Sequence, residues 1–284
     1  MDMEMEEYRS GKKSLELICY IGGAGAFGVL LRWLQQQLAF NEMGLPDKSA
    51  LHAVLVLFVL AAGGRFLYFI RLYEKQRLFL PDDFSLAFSN TGKFYRILSI
   101  LAGLILCAGA VLLFLQTDAD RNSSDYRIIA GLGLLAGIAF PLWLGSADRD
   151  PKPNSWVLCA FSFLPMLFLA AWVVICYKLN TINSVIWSFI LELSAVAASM
   201  FAFFRLGGYV FGRPKWKRTL FCCMFAAMLC IMTLADKRYM GQQVMFLGLA
   251  AQLLLCSWIM VTNLRKGEAP PVREKNTGGF ESLS

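Results

Sequence analysis

The sequence predicts an all-α integral membrane protein, a bundle of about eight transmembrane helices. Two observations indicate this fold class. Apolar residues make up 57% of the 284 positions before the 23 glycines are counted, whereas soluble domains reach roughly 45–50% with glycine included. Charged residues make up only 17%, and they gather in short clusters between long apolar stretches, a pattern typical of membrane spans separated by loops.

A transmembrane helix needs about 20 mostly apolar residues, and eight segments of the chain provide them. They are residues 15–38, 51–70, 94–115, 126–145, 156–177, 184–204, 220–234 and 243–264. Because these runs are continuous, an outer-membrane barrel of alternating strands is excluded. We expect residues 14–264 to form one polytopic helical domain. An N-terminal cytoplasmic tail, 1–13, should precede it, and a disordered cytoplasmic tail, 265–284, should follow.

Individual spans carry features of their own. The first follows an acidic stretch and lacks a small-residue cleavage site behind it, which predicts a retained helix rather than a removed signal peptide. The fourth and fifth contain Pro141 and Pro165. Each proline removes a backbone hydrogen bond and favours a kink. The sixth contains Glu192, and the seventh is the shortest and has the least defined ends.

The lysines and arginines predict that both termini lie in the cytoplasm. With the N-terminus inside, 19 of the 27 basic residues fall on the cytoplasmic side, 6 outside and 2 within spans. This bias is the positive-inside signal. We therefore expect a multi-pass plasma membrane protein whose basic inner loops contact anionic lipid headgroups. The net charge of +7 is explained without nucleic acid, and a homo-oligomer or a membrane partner subunit is left open.

No motif supports an enzyme, a cofactor or a metal site. Gly23, Gly25 and Gly28 match the dinucleotide fingerprint in spacing, but they lie inside an apolar helix without the preceding strand that this fingerprint needs. We interpret them as a helix-packing face. His52 is the one histidine of the chain, which excludes sites that need two. The eight cysteines fall inside predicted spans and are interpreted as small buried hydrophobes.

Residues 22–33, Gly-Gly-Ala-Gly-Ala-Phe-Gly-Val-Leu-Leu-Arg-Trp, resemble the opening of the small fluoride-channel family. The first helix of that family also carries a glycine-rich run that ends in arginine and an aromatic residue. The resemblance stops after this segment, because the second span lacks the asparagine and the Gly-Ser pair that the family places there. No function is carried over from it.

Three charged side chains stand out because they lie well inside predicted spans: Arg32, Arg65 and Glu192. Each costs about 2.5–3.5 kcal/mol even on a lenient insertion scale, so each needs a partner or a water-lined path. A rise of about 1.5 Å per residue from position 184 places Glu192 close to the midplane, roughly 8 or 9 Å in depth from either arginine. We therefore predict that Glu192 pairs with Arg65 or with Arg32.

Small and polar residues surround Glu192 on one face of its predicted helix. Ser184, Ser188, Glu192, Ala195 and Ser199 recur at helical spacing, which makes a continuous stripe. The stripe predicts that Glu192 faces other helices rather than lipid, with Ser188 and Ser199 beside it.

Two functions are compatible with these features. The first is a small-solute or ion-coupled permease in which Glu192 is a mid-membrane site for a proton or cation. The second is a non-transporting scaffold or accessory subunit, in which the buried charges are structural and fix the register of the helices. The two differ in one structural observation: whether Glu192 borders a hydrated cavity.

Overall fold

The computed structural model describes residues 2–39, 49–88, 93–117, 123–149, 156–181 and 185–266. The structure is 88% helical. Eight of its helices are long and apolar enough to cross a membrane. The predicted helical class is therefore confirmed, and eight helices have the length and apolar composition that the prediction requires.

Eight long helices, one short helix and two short strands make up the described residues. In chain order they are α1 (Asp2–Leu38), α2 (Ser49–Lys75), β1 (Leu78–Phe79), α3 (Phe84–Phe88), α4 (Lys93–Gln116), α5 (Ser123–Ser146), α6 (Trp156–Asn180), α7 (Ile190–Val210), α8 (Trp216–Met232), α9 (Met240–Thr262) and β2 (Arg265–Lys266). Three 3₁₀ turns, Ala147–Arg149, Ile186–Ser188 and Thr233–Ala235, lie after α5, before α7 and after α8.

Several spans differ from their predicted ends. Helix α1 begins at Asp2, so it includes most of the segment predicted as an N-terminal tail, and α2 runs to Lys75 rather than residue 70. The sixth and seventh spans start at other residues than predicted. The prediction starts the sixth at residue 184, but α7 begins at Ile190. The preceding residues form a 3₁₀ turn in which the Ser188 hydroxyl donates to the Val185 carbonyl at 2.7 Å, a local bond that competes with the helix. The prediction starts the seventh at residue 220, but α8 begins at Trp216. Its first turn includes Lys217, which pairs with Glu74 of α2.

Helix α9 lies at the centre of the bundle. In its most apolar stretch 72% of residues are buried, against 28% for α1 and for α2. It packs antiparallel against α4 through glycines. A Cβ on Gly248 would lie 2.7 Å from the backbone nitrogen of Leu106, and one on Gly109 would lie 2.6 Å from that of Met245. Side chains are excluded at such backbone contacts, so α4 and α9 approach each other closely along this seam.

The glycines of α1 pack against α8. A Cβ on Gly25 would lie 2.9 Å from the side chain of Ile231, and one on Gly28 would meet the side chain of Met232. The interpretation of these glycines as a helix-packing face is confirmed for Gly25 and Gly28, whereas a Cβ on Gly23 would have no atom within 4 Å.

The segment between α2 and α4 covers one end of the bundle, and we call residues 78–88 the cap. Its strand β1 pairs antiparallel with β2. Its short helix α3 buries Phe84 and Phe88, whose ring centroids lie 5.2 and 5.3 Å from that of Trp143. The predicted C-terminal tail thus begins with an ordered strand, and its remainder, 267–284, lies outside the described residues.

The eight long helices alternate in direction, so the bundle has two ends. We call the end that carries the cap and the start of α4 the Lys93 end. The opposite end holds the start of α7, the start of α9 and the connection between α8 and α9, and we call it the Glu192 end.

Candidate functional site

Arg32 is buried near the end of α1 and has three protein partners. Its Nε donates to Oδ1 of Asp236 at 2.7 Å, and its Nη1 donates to Oε1 of Gln35 at 2.7 Å. Its Nη2 donates to the backbone carbonyl of Trp187 at 2.8 Å. The guanidinium therefore ties α1 both to the turn before α7 and to the connection after α8.

Glu192 forms a second ion pair, with Arg238. Nη1 of Arg238 donates to Oε2 of Glu192, and Nη2 of Arg238 donates to Oδ2 of Asp236 at 3.0 Å. The indole Nε1 of Trp172, on α6, donates to Oε1 of Glu192 at 2.9 Å. Both carboxylate oxygens of Glu192 are thus hydrogen-bonded, and Asp236 joins the two ion pairs.

The four residues form one chain of alternating charge, and we call Glu192, Arg238, Asp236 and Arg32 the charge network. Its formal charge is zero, and its side chains are between 2% and 12% exposed. Burial lowers the pKa of Arg238, but the carboxylates of Glu192 and Asp236 outweigh burial and raise this pKa above its usual value. Arg238 therefore stays cationic, and the loss of any one member leaves an uncompensated buried charge.

Asp236 reaches the charge network because helix α8 stops just before it. The 3₁₀ turn at Thr233–Ala235 ends the helix, and Asp236 has an extended backbone with φ −75° and ψ 141°. Two glutamines hold it in place. Nε2 of Gln36 donates to Oδ1 of Asp236 at 2.8 Å, and Nε2 of Gln243 donates to its backbone carbonyl at 2.9 Å.

Glu192 has a different partner from the one that its sequence position predicts. It pairs with Arg238, whereas Arg32 pairs with Asp236. Arg32 and Glu192 share the charge network without bonding to each other. The predicted position of Glu192 near the midplane is also wrong, because α7 begins at Ile190 and Glu192 lies in its first turn.

Arg65 lies away from the charge network. It is on the exposed face of α2, and its guanidinium carbon is 4.9 Å from the ring centroids of both Tyr68 and Phe69. Aromatic faces attract such a cation. This contact explains how an arginine is accommodated within an apolar helix without a carboxylate.

The predicted polar stripe is only partly helical. Ser199 is buried on α7, where its hydroxyl donates to the Ala195 carbonyl at 2.8 Å and lies 3.2 Å from Sγ of Cys230. Ser188 lies in the turn before the helix, and its backbone carbonyl accepts a hydrogen bond from Nη2 of Arg238 at 3.3 Å. Ser188 therefore contributes to the site through its backbone, and residue 184 lies outside the described residues.

A cavity of about 730 Å³ opens beside Glu192 between α5, α6, α7 and α9. Its wall combines aromatic and aliphatic side chains with charged and amide groups: Tyr126, Ile129, Trp172, Ile175, Cys176, Leu179, Asn180, Glu192, Lys237, Arg238, Tyr239 and Gln242. Along α6 it reaches from Asn180 to Trp172, about 12 Å at 1.5 Å per residue. Glu192 and Arg238 thus border the cavity, and the rest of the charge network lies behind them.

Trp172 lines the inner end of this cavity, and the buried rings of Phe168 and Phe246 pack against it. We call Trp172, Phe168 and Phe246 the floor. The ring centroid of Trp172 lies 4.7 Å from that of Phe246 and 5.5 Å from that of Phe168. Beyond the floor, a cleft of about 10 Å³ lies between α5, α6 and α7, lined by residues that include Phe140, Phe161 and Pro165. That volume is close to the minimum for one water molecule.

Sequence reasoning missed Asp236 and Arg238. It places Arg238 in an outer loop, because only charges within predicted spans are treated as site candidates. A signal is present in the sequence. An acid and a base two residues apart occupy a very short connection between two long apolar runs, and so short a connection holds both side chains against the helix ends.

The site is built from ion pairs, an aromatic floor and an open cavity. Within the described ranges, no group of three or more histidine, cysteine, aspartate or glutamate side chains is arranged to hold a metal ion. Comparison of the chain with protein-family models, with curated proteins and with solved structures finds no match.

Proposed function

We propose that the chain is a small-solute permease of the plasma membrane and that the cavity beside Glu192 admits its solute. The observation that carries this proposal is the cavity itself. Its volume of about 730 Å³ falls within the roughly 300–1,000 Å³ of small-molecule sites. Two members of the charge network border it, and charged groups among membrane helices commonly mark solute routes.

The helices between the floor and the Lys93 end have features that support alternating access. Trp172 of the floor and Pro165 of the small cleft are seven residues apart on α6, which is about 10 Å of helix. The barrier between the two spaces is therefore short. Pro165 and Pro141 interrupt the hydrogen bonding of α6 and α5 beside it, and such interruptions are where membrane helices bend. Bending there would open the floor toward the Lys93 end.

Glu192 links the charge network to the floor. Its Oε1 accepts the indole N–H of Trp172, and Trp172 is itself a floor residue. Protonation of Glu192 weakens its hold on both Trp172 and Arg238, because the neutral acid is a poorer acceptor than the carboxylate. We propose that a proton couples to the solute by this route, at the end of α7 rather than at the midplane.

A second function is favoured by a separate observation: the two positive and two negative side chains of the charge network pair with each other and need no ligand to balance them. In this alternative the chain is a non-transporting scaffold or accessory subunit, and the ion pairs only fix the helices. The basic residues of the Lys93 end, such as Lys217 and Arg265, then bind anionic lipid or a partner subunit.

Solute flux separates the two functions. We expect purified protein in liposomes, with a pH-sensitive dye inside, to move at least one solute from a panel of small acids, bases and neutral compounds. In a variant that keeps Cys176 as its single cysteine, a small methanethiosulfonate reagent should block this flux, because Cys176 lines the cavity. The matched control keeps Cys230, which is buried against Ser199, and should stay active. A folded wild-type protein that moves neither solute nor protons would support the scaffold.

The orientation of the bundle gives another prediction. From the excess of basic residues toward the Lys93 end we predict that this end lies in the cytoplasm and the Glu192 end outside. In a cysteine-free background, a cysteine at exposed Thr181 should react with an impermeant maleimide in intact cells. A cysteine at exposed Arg265 should react only after permeabilisation. The reverse pattern would place the cavity on the cytoplasmic side.

A further inference from the structure

The charges around the cavity do not balance. Glu192 and Arg238 are neutralised within the charge network. Lys237 also lines the cavity, is exposed, and makes no hydrogen bond or ion pair to a described residue. Lys178, at the same end of the bundle, is instead paired with Asp125 at 2.9 Å. The lining therefore has a net positive charge, which Lys237 carries.

Gln242 is a polar group that has no hydrogen-bond partner among the described residues. Its side chain lines the cavity, is only 6% exposed, and makes no hydrogen bond within the part of the chain that the structure describes. A buried amide that can donate two hydrogen bonds and accept two normally has partners. A ligand in the cavity is in position to form these hydrogen bonds with the amide of Gln242.

Part of the cavity wall is apolar. Tyr126, Leu179 and Tyr239 line the cavity and are partly exposed, so they present aromatic and aliphatic surface on which a flat or hydrophobic body packs well. A small inorganic anion would leave this wall without contacts. The cavity is also bordered by helix ends, with Asn180 at the end of α6 and Lys237 in the connection before α9, so its ligand enters from water.

We infer that the cavity binds a water-soluble amphipathic organic monoanion, with one carboxylate held by Lys237 and Gln242 and an apolar or aromatic body against Tyr126, Leu179 and Tyr239. A cation is disfavoured because Glu192, the acidic group of the lining, already accepts from Arg238 and Trp172. This inference rests on the proposed function, since the bound anion is the solute to be moved. Binding is nevertheless a separate event from transport.

Equilibrium binding of labelled phenylacetate to the purified full-length protein tests the inference. We expect phenylacetate to bind at least tenfold more tightly than phenylacetamide, which is neutral, phenethylamine, which is cationic, and acetate, which lacks the apolar body. Replacing Lys237→Gln should weaken phenylacetate binding about five- to tenfold, because a charge-assisted hydrogen bond is lost. Gln242→Leu should weaken it by a similar factor.

The matched control is Lys178→Gln, which removes the same charge from the same end but from a lysine outside the cavity. It should leave phenylacetate binding unchanged, and each variant should keep the wild-type melting temperature and gel-filtration profile. Equal binding of phenylacetate and phenylacetamide, or unchanged binding in folded Lys237→Gln, would overturn the anion assignment. Phenylacetate binding without flux of any solute would overturn the permease and leave the ligand class standing. Flux of cationic solutes without phenylacetate binding would overturn the ligand class alone.

Discussion

Replacing Asp236 with asparagine is expected to lower the free energy of unfolding by about 3–5 kcal/mol, the usual cost of removing one partner from a buried ion pair. Asp236 accepts hydrogen bonds from Arg32, Gln36 and Arg238. Asparagine keeps the shape of the side chain and loses its charge, which leaves two buried arginines facing Glu192 alone. Reversible unfolding in mixed micelles measures the loss.

A second substitution tests whether this loss comes from charge imbalance. In Asp236→Asn combined with Arg32→Gln the network is again neutral, so the double variant should be more stable than the sum of the single losses predicts, with a coupling of at least about 1 kcal/mol. The matched control is Arg65→Gln, which removes an arginine that lies outside the charge network against the rings of Tyr68 and Phe69 and should cost about 0.5–1 kcal/mol. Additive losses at Asp236 and Arg32 would contradict a network.

Gly248→Ala is expected to separate α4 from α9 and to cost about 1–3 kcal/mol, the range of overpacked cores. The added methyl group would lie 2.7 Å from the backbone nitrogen of Leu106 and 2.8 Å from its Cα. Backbone atoms cannot swing aside as the end of a side chain can, so the whole helix must move. Gly248→Leu should prevent the fold altogether. Melting in detergent, followed by circular dichroism, gives the loss.

Gly131→Ala is the matched control, because Gly131 lies inside helix α5 and a methyl group added there would have no atom within 4 Å. The same change there should be neutral or stabilise by up to about 0.5–1 kcal/mol, since alanine loses less backbone entropy in a helix than glycine. Equal losses at the two glycines would contradict close packing against Leu106 as the cause of the cost at Gly248.

The helices of this bundle could be predicted from the sequence because hydrophobic length is a local property. Every predicted span corresponds to one long helix. The ends were less predictable, since they depend on partners that are distant in sequence. Lys217 belongs to α8 and pairs with Glu74 of α2. The cap was not predicted, because β1 and β2 are far apart in the sequence and no local pattern indicates that they pair.

The site could be predicted only in part, for a physical reason. The free-energy cost of burying a charge indicates that Arg32 and Glu192 need partners. It does not indicate which residues are those partners or how deep in the bundle each charge lies. The predicted depth of Glu192 depends on an assumed helix start, and the turn at Ile186–Ser188 moves that start. The partners Asp236 and Arg238 are polar residues in a connection, where local hydrophobicity carries no sign of burial. The cavity requires four helices in place, so no local pattern encodes it.

The pairing of β1 with β2 has a consequence for the order in which the protein assembles. β1 follows the second long helix, whereas β2 follows the last. Because the chain is synthesised from its N-terminus, β1 is made long before β2. The cap therefore waits, without its strand partner, until all eight long helices have been made. Closure of the Lys93 end is thus a late step of biogenesis, and it requires that α9, the centre of the bundle, is already in place.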